Sequence, residues 1–299
     1  ERLQFDLDYF NRITKGGLPK KTLNIALAGT GVGKSLFMCH MAASALSQGK
    51  NVLYITMEMS EERIAERIDA NLLNVPIDQL EHLSKDSFTK KVQNIATKTN
   101  GKLIIKEYPT GSAHANHFRA LLNELKLKRN MIPDIIFIDY LNICSSARMK
   151  GMGGSINSYS YIKSIAEELR GLAVEFDVPV VSATQTTRGG YNNDDVGLED
   201  TSESFGLPAT ADLMFALIVN DELKASNQIL VKQLKNRYND LGANQRFVIG
   251  VDRSKMRLYD VDQNDSPLNK EEDNGPAFDN SASGQRLLTE RSNFSDFKL

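Results

Sequence analysis

"ALAGTGVGKSLF", residues 26–37, decides the fold. An apolar run ends at Ala28, a glycine-rich turn follows, and Lys34 and Ser35 open a helical pattern. A polyphosphate needs that order of strand, turn and helix. Backbone N–H groups of the turn and of the helix N-terminus surround the phosphates, a lysine reaches the outer ones, and a hydroxyl holds Mg2+. Gly29, Gly31 and Gly33 permit the turn, Thr30 and Val32 fill the positions between them, Lys34 is the phosphate lysine and Ser35 the metal hydroxyl. Ala28 stands where the pattern usually has its first glycine, a harmless change wherever the backbone φ is negative. A dinucleotide fingerprint fails, because G-x-G-x-x-G counted from Gly29 puts Lys34 in the last glycine position.

Outward from this loop, short and mostly β-branched apolar runs at 22–28, 52–56, 103–106, 135–139, 178–183, 213–219 and 229–234 read as buried strands. Helical patterns alternate with the earlier ones. One spans 35–46, where Met38, Met41 and Leu46 read as core. Another starts at Ser60, a cap followed by Glu61 and Glu62, with Ile64, Ile68 and Leu72 on one face. Tyr161, Ile165, Leu169, Leu172 and Phe176 stripe a third. The class is therefore α/β, a mainly parallel twisted sheet with helices on both faces. His114 and His117, three apart at a helix start, read as structural rather than metal-binding.

The 299 residues allow one large domain or two smaller ones. Net charge is −2, so any nucleic-acid contact must come from local patches or loops. Cys39 and Cys144 lack metal-ligand spacing and suit a reducing cytoplasm. No apolar run is long enough to span a bilayer, so no membrane partner is expected. Residues 1–20 read as an entry segment, 21–262 as the ATPase domain, and the polar, acidic 263–299 as a disordered tail. The chain opens at Glu1 rather than Met, so an N-terminal domain of the natural protein is expected to be absent.

Further site residues lie at strand ends. "IIFIDYL" ends an apolar run in Asp139, the Walker B arrangement that orders water around Mg2+. Many motor ATPases follow this aspartate with a catalytic glutamate, but Tyr140 stands here, so the base must come from elsewhere. Glu58 follows the strand after the phosphate-loop helix. In a RecA-type sheet it would face the γ-phosphate as general base. Gln185, at the tip of "VVSATQ", would report nucleotide state.

In order along the chain, "FDLDYFNRITKGGLPKKTL", the phosphate loop, "YITMEMSEERIAERI", "IIFIDYLNI", "ATQTTRGG", "TSESFGLPATADLMFALI" and "VKQLKNRYNDLG" resemble the motor domain of DnaB-like replicative DNA helicases, particularly those of T4-like bacteriophages. The likeness spans residues 4–260. It implies a RecA-like P-loop NTPase fold, ATP (or GTP) with Mg2+ as fuel, and a homo-hexamer translocating 5′ to 3′ on single-stranded DNA. It further implies primase, helicase-loader and single-strand-binding partners in an infected bacterial cytoplasm. By the same likeness Lys235 is a trans sensor and Arg237 an arginine finger, both acting on the neighbouring subunit's nucleotide. Two residues apart on a strand, they point the same way.

DNA contacts are expected from two loops. Arg148 and Lys150 lie amid glycines after Walker B, as in a flexible channel loop. Arg188 and Glu203 belong to the segment after Gln185, which has Ser202 where relatives often place an arginine; backbone amides are the alternative grip there. Other RecA-like ATPases, a strand-exchange recombinase or a KaiC-like protein, share the glycine loop, the strand-end aspartate and the glutamate.

Overall fold

A computed structural model describes residues 1–97, 99–149, 157–186 and 206–266. The chain begins with β1 (Arg2–Leu3), α1 (Asp8–Ile13) and β2 (Leu18–Pro19), the two strands pairing antiparallel. Phe5, Leu7, Phe10 and Ile13 are buried. The Phe10 ring meets Phe37, Phe215 and Phe247 at centroid distances of 5.5, 5.2 and 5.3 Å. Burying one such phenyl stabilises by about 1.5–3 kcal/mol, so residues 1–20 are folded against the sheet.

β3 (Leu23–Ala28) leads through the glycine turn into α2 (Lys34–Ser47), and the chain returns as β4 (Val52–Thr56). α3 (Glu61–Leu73) is capped as its sequence predicts, the Ser60 hydroxyl accepting from the Arg63 amide at 3.3 Å. Then come α4 (Lys85–Ala96), β5 (Leu103–Glu107), α5 (Ala115–Arg129) and β6 (Ile135–Asp139). His114 caps α5, and the His117 ring accepts the His114 amide at 3.2 Å, which gives the histidine pair a structural task. α6 (Ser158–Glu175), β7 (Val180–Gln185), α7 (Gly206–Thr210) and β8 (Leu213–Ile218) follow. α8 (Asp221–Ala225), β9 (Gln228–Asn236), β10 (Arg246–Asp252) and β11 (Arg257–Asp260) come next. A 3-10 turn at Gln263–Asp265, bonded through Gln263 to Val248, ends the described residues, so 263–266 are ordered where the sequence reading began the tail.

Nine strands form one sheet in the order β11-β10-β9-β8-β3-β7-β6-β4-β5. The six from β8 to β5 are parallel, and β9, β10 and β11 add an antiparallel edge. Side chains alternate across each strand. In β3, Ala26 and Ala28 join a core with Phe37 of α2 and Ile64 and Ile68 of α3, whereas Leu23, Ile25 and Leu27 join a second core with Phe118 of α5 and Leu169 of α6. Both faces are covered, which is why these strands read as unbroken apolar runs rather than alternating ones.

The structure departs from the sequence reading at the edge. β10 and β11 were not among the expected strands, and Gly250 interrupts the β10 pattern. Gly250 pairs with Tyr259, and a Cβ there would overlap the tyrosine ring. β7 extends two residues beyond its expected end because Thr184 and Gln185 still pair with Leu27 and Ala28.

One buried side chain ties several elements together. The His40 ring, on α2, accepts at Nδ1 from the Leu258 amide at 3.1 Å and from Asn71 Nδ2 at 3.0 Å. Its proton therefore sits on Nε2, which donates to Asp6 Oδ1 at 2.9 Å.

Candidate active site

The C-terminal ends of β3, β4, β6 and β7 lie side by side. Ala28 pairs with Gln185, and Thr56 pairs with Asp139. Ala28 closes β3 in extended backbone, so its Cβ is no obstacle. The left-handed conformations fall on Gly31 (φ 77°) and Gly33 (φ 135°), where a side chain would be strained. α2 begins at Lys34, and Gly33 offers no side chain to its first amides, so these donors are left for a ligand.

Lys34 is buried, with Nζ 4.9 Å from the centre of the Tyr140 ring. Burial pulls its amine below the usual lysine value, while the charges of Glu58 and Asp139 resist. The sequence thus brings Lys34, Glu58 and Asp139 into one electrostatic neighbourhood. Glu58 is exposed just past β4, and Gln185 is half-buried at the end of β7.

Asp139 is fully buried. Its Oδ2 accepts the Tyr54 hydroxyl at 2.9 Å, and its Oδ1 has no hydrogen-bond partner. Burial raises this carboxyl above the ordinary aspartate value; the Ser35 and Tyr54 hydroxyls oppose that rise, Glu58 adds to it and Lys34 opposes it. An orphaned carboxylate oxygen beside a serine hydroxyl and a phosphate loop fits Mg2+, which binds one or two carboxylates and takes its other oxygens from phosphates and water. Among the described residues no cluster of three or more His, Cys, Asp or Glu could hold a metal alone.

Sequence reasoning singled out neither Tyr54 nor Arg253. Tyr54 sits in the apolar run "VLYIT" and reads as core. Burial and then Asp139 hold its phenol well above the usual value, so it stays a donor. Arg253, in the turn between β10 and β11, donates from Nη1 and Nη2 to the Val32 carbonyl at 3.2 and 3.3 Å. No local pattern marks it.

Lys235 and Arg237 lie elsewhere. Asp212, just before β8, accepts from the Leu23 amide at the start of β3. Its carboxylate also receives Arg170 Nε and Nη2 at 3.2 Å each and Arg237 Nη1 at 2.9 Å. Lys235 donates to the Pro208 and Ala209 carbonyls. A bulge between Met214 and Phe215 shifts the β8–β9 register just beside Lys235. Burial, then Arg237, lowers the Lys235 amine. The pair therefore occupies the end of the sheet opposite the phosphate loop, where Arg237 lines a 490 Å³ groove together with Glu167, Arg170 and Val174. An acid directly before the apolar run "LMFALI" was the available signal for Asp212.

Of the expected DNA contacts, Arg148 is described; Lys150, Arg188 and Glu203 lie outside the described residues, as do Ser202 and the tail from residue 267. Arg148 Nη1 pairs with Glu167 at 2.9 Å, leaving its side chain largely exposed. Buried Glu168 fixes the backbone here, accepting from the Ala147 and Arg148 amides at 3.0 Å each and from the Ser146 hydroxyl at 2.8 Å.

Comparison with known proteins gives this arrangement its context. The DnaB-like replicative helicase of Enterobacteria phage T4 is 47% identical over 269 residues, covering 89% of this chain and 56% of the phage protein. The replicative DNA helicase DnaB of Helicobacter pylori is 29% identical over 205 residues, 67% of this chain and 40% of that protein. The chain thus spans about half the length of the curated relatives it matches. Among solved structures, an isolated ATPase domain superposes with a TM-score of 0.73 at 18% identity, over 88% of this chain and 92% of that one. A DnaB-like replicative helicase solved for its interactions with primase gives 0.72 at 19%, over 88% of this chain and 62% of that one. These two establish the RecA-like fold. Residues 3–251 match the DnaB-like helicase C terminal domain, and with the phosphate loop, the strand-end aspartate and the sheet order in place, the chain belongs to that family.

Proposed function

We propose that residues 21–262 are the motor of a replicative DNA helicase that hydrolyses ATP (or GTP) at the seams of a homo-hexameric ring, with residues 1–20 as entry segment. The ring travels 5′ to 3′ on single-stranded DNA and separates the duplex ahead. The observation that carries this reading is the division of the site: Lys34, Ser35, Glu58 and Asp139 at the C-terminal ends of the central parallel strands, Lys235 and Arg237 at the opposite end of the sheet.

In this reading the 29–33 loop and Lys34 bind the phosphates, while Ser35 and Asp139 hold Mg2+, which neutralises phosphate charge when bound. Glu58 takes the proton of the attacking water, and Gln185 senses the γ-phosphate. Lys235 and Arg237 of one subunit complete the neighbour's site. A guanidinium placed against the γ-phosphate accelerates transfer by about 10³-fold or more. Arg148, Lys150, Arg188 and Glu203 are the proposed DNA-loop residues. Primase is a proposed partner, supported by the family structure solved with primase in view, together with a loader and a single-strand-binding protein. Such a machine works in the cytoplasm; among the described residues no helix is long and apolar enough to cross a membrane.

The test is hydrolysis with and without single-stranded DNA, paired with unwinding of a forked duplex. Stimulated hydrolysis coupled to strand separation is expected. Strand exchange without unwinding would replace this reading with a recombinase.

A further inference from the structure

We propose that Tyr54 is a positioning residue for metal capture: its hydroxyl fixes one oxygen of Asp139 so that the other stays free to receive a divalent cation beside Ser35. The inference rests on the nucleotide-site reading above and adds a residue to it.

A carboxylate turns easily about its last torsion, whose preferences are broad and two-fold. Something must decide which oxygen faces the cation. At Asp139 Oδ2 accepts the Tyr54 hydroxyl at 2.9 Å, Oδ1 is buried without a hydrogen bond of normal geometry, and the Ser35 hydroxyl lies close enough to favour the charged carboxylate. The phenol is itself held. Its ring stacks on Phe137 with centroids 5.7 Å apart and planes at 19°, and it is fully buried. From behind, the Cys39 thiol donates to the phenol oxygen at 3.9 Å, a weak contact that commits the phenol proton to Asp139.

The strand register explains why this residue reaches. Tyr54 pairs with Phe137 and Thr56 with Asp139, so Tyr54 and Asp139 are diagonal neighbours on one face. Cys39 and Ser35 are four apart on α2, on the same helix face. A relay from Cys39 through Tyr54 to Asp139 thus starts on the helix that carries the metal hydroxyl and ends on the metal carboxylate. Partners behind a metal ligand typically alter metal affinity by 10–100-fold when removed.

The experiment is equilibrium binding of a fluorescent ADP analogue to the full chain, in EDTA and across a Mg2+ titration, for wild type and Tyr54→Phe. Phenylalanine keeps the ring stack and removes only the hydroxyl. The half-saturating Mg2+ concentration is expected to rise about 10-fold, with affinity in EDTA unchanged. Cys39→Ala is the second arm; it frees the phenol to turn and is expected to move the midpoint the same way by less, and it carries the test alone if Tyr54→Phe does not fold. An unmoved midpoint in whichever variants fold, or equal losses with and without Mg2+, overturns the proposal. A wild-type chain that binds no nucleotide under either condition overturns the nucleotide-site reading as well.

Discussion

Lys235 and Arg237 donate to the same carbonyl, that of Ala209, at 3.2 and 3.1 Å. Their shared anchor lies by the start of β3, where the Asp212 amide bonds Leu23, while the phosphate loop follows its end. Six strand residues separate the two, about 20 Å. Neither cation reaches its own chain's loop across that span, which is the geometry the proposed action on a second copy requires. Mixing Arg237→Ala with wild-type chains should therefore depress hydrolysis more steeply than the mutant fraction, because each variant subunit disables a neighbour's site. A strictly proportional decline, followed by steady-state phosphate release, would sink the trans assignment.

The two halves of the phosphate chemistry should separate by mutation. Lys34→Ala is expected to abolish nucleotide binding, since it removes the buried ammonium that shares one electrostatic neighbourhood with Glu58 and Asp139. Glu58→Gln keeps shape and binding while removing the base, and turnover should fall by about 10²–10⁴-fold. Fluorescent-nucleotide binding and single-turnover hydrolysis read the two effects; unchanged turnover in the Gln variant would remove Glu58 from the mechanism.

Asp139 should trade stability for function. Its folded-state carboxyl titrates above its ordinary value of 3.8, burial being the main cause. Between that value and the raised one the folded chain holds a proton that the unfolded chain has released, so stability falls as pH rises through the window. Asp139→Asn removes this cost. Without nucleotide at pH 7 it should melt at a higher temperature than the wild type. The gain should vanish below the ordinary aspartate value, and Mg2+-dependent stabilisation by nucleotide should be lost. A lower melting temperature at pH 7 would contradict the account.

Glu168 should be structural first. It satisfies two backbone amides and a hydroxyl in the segment that follows Asp139. Glu168→Leu takes the acceptor from two part-buried amides, at about 1–3 kcal/mol each where no water reaches them, while the Ser146 hydroxyl keeps Ser164. Urea unfolding should show a loss of at least about 2 kcal/mol. A loss under about 0.5 kcal/mol, the range of ordinary surface substitutions, would mean that solvent replaces the carboxylate.

What the sequence reveals here follows contact range. The phosphate loop, Asp139 and the Ser60 cap are legible because a few consecutive residues contain the whole device. Glu58 and Gln185 become legible once the strands are placed side by side. Arg253 is 221 residues from its acceptor, and nothing local announces a contact made only when the antiparallel edge folds over. Tyr54 is hidden differently: within a buried strand its ring reads as packing, and only the neighbouring strand supplies the carboxylate that gives its hydroxyl a purpose. Gly250 carries no local signal, and only the pairing with Tyr259 shows why a side chain has no room there.

The bond between His40 and Asp6 couples the leading residues of the chain to α2. His40 lies five residues beyond Ser35, about 7.5 Å along the helix axis. A displacement of those leading residues therefore bears on the helix that opens at the glycine turn, with the imidazole as its pivot pin. The front of the chain and the glycine turn are in this way joined through one helix.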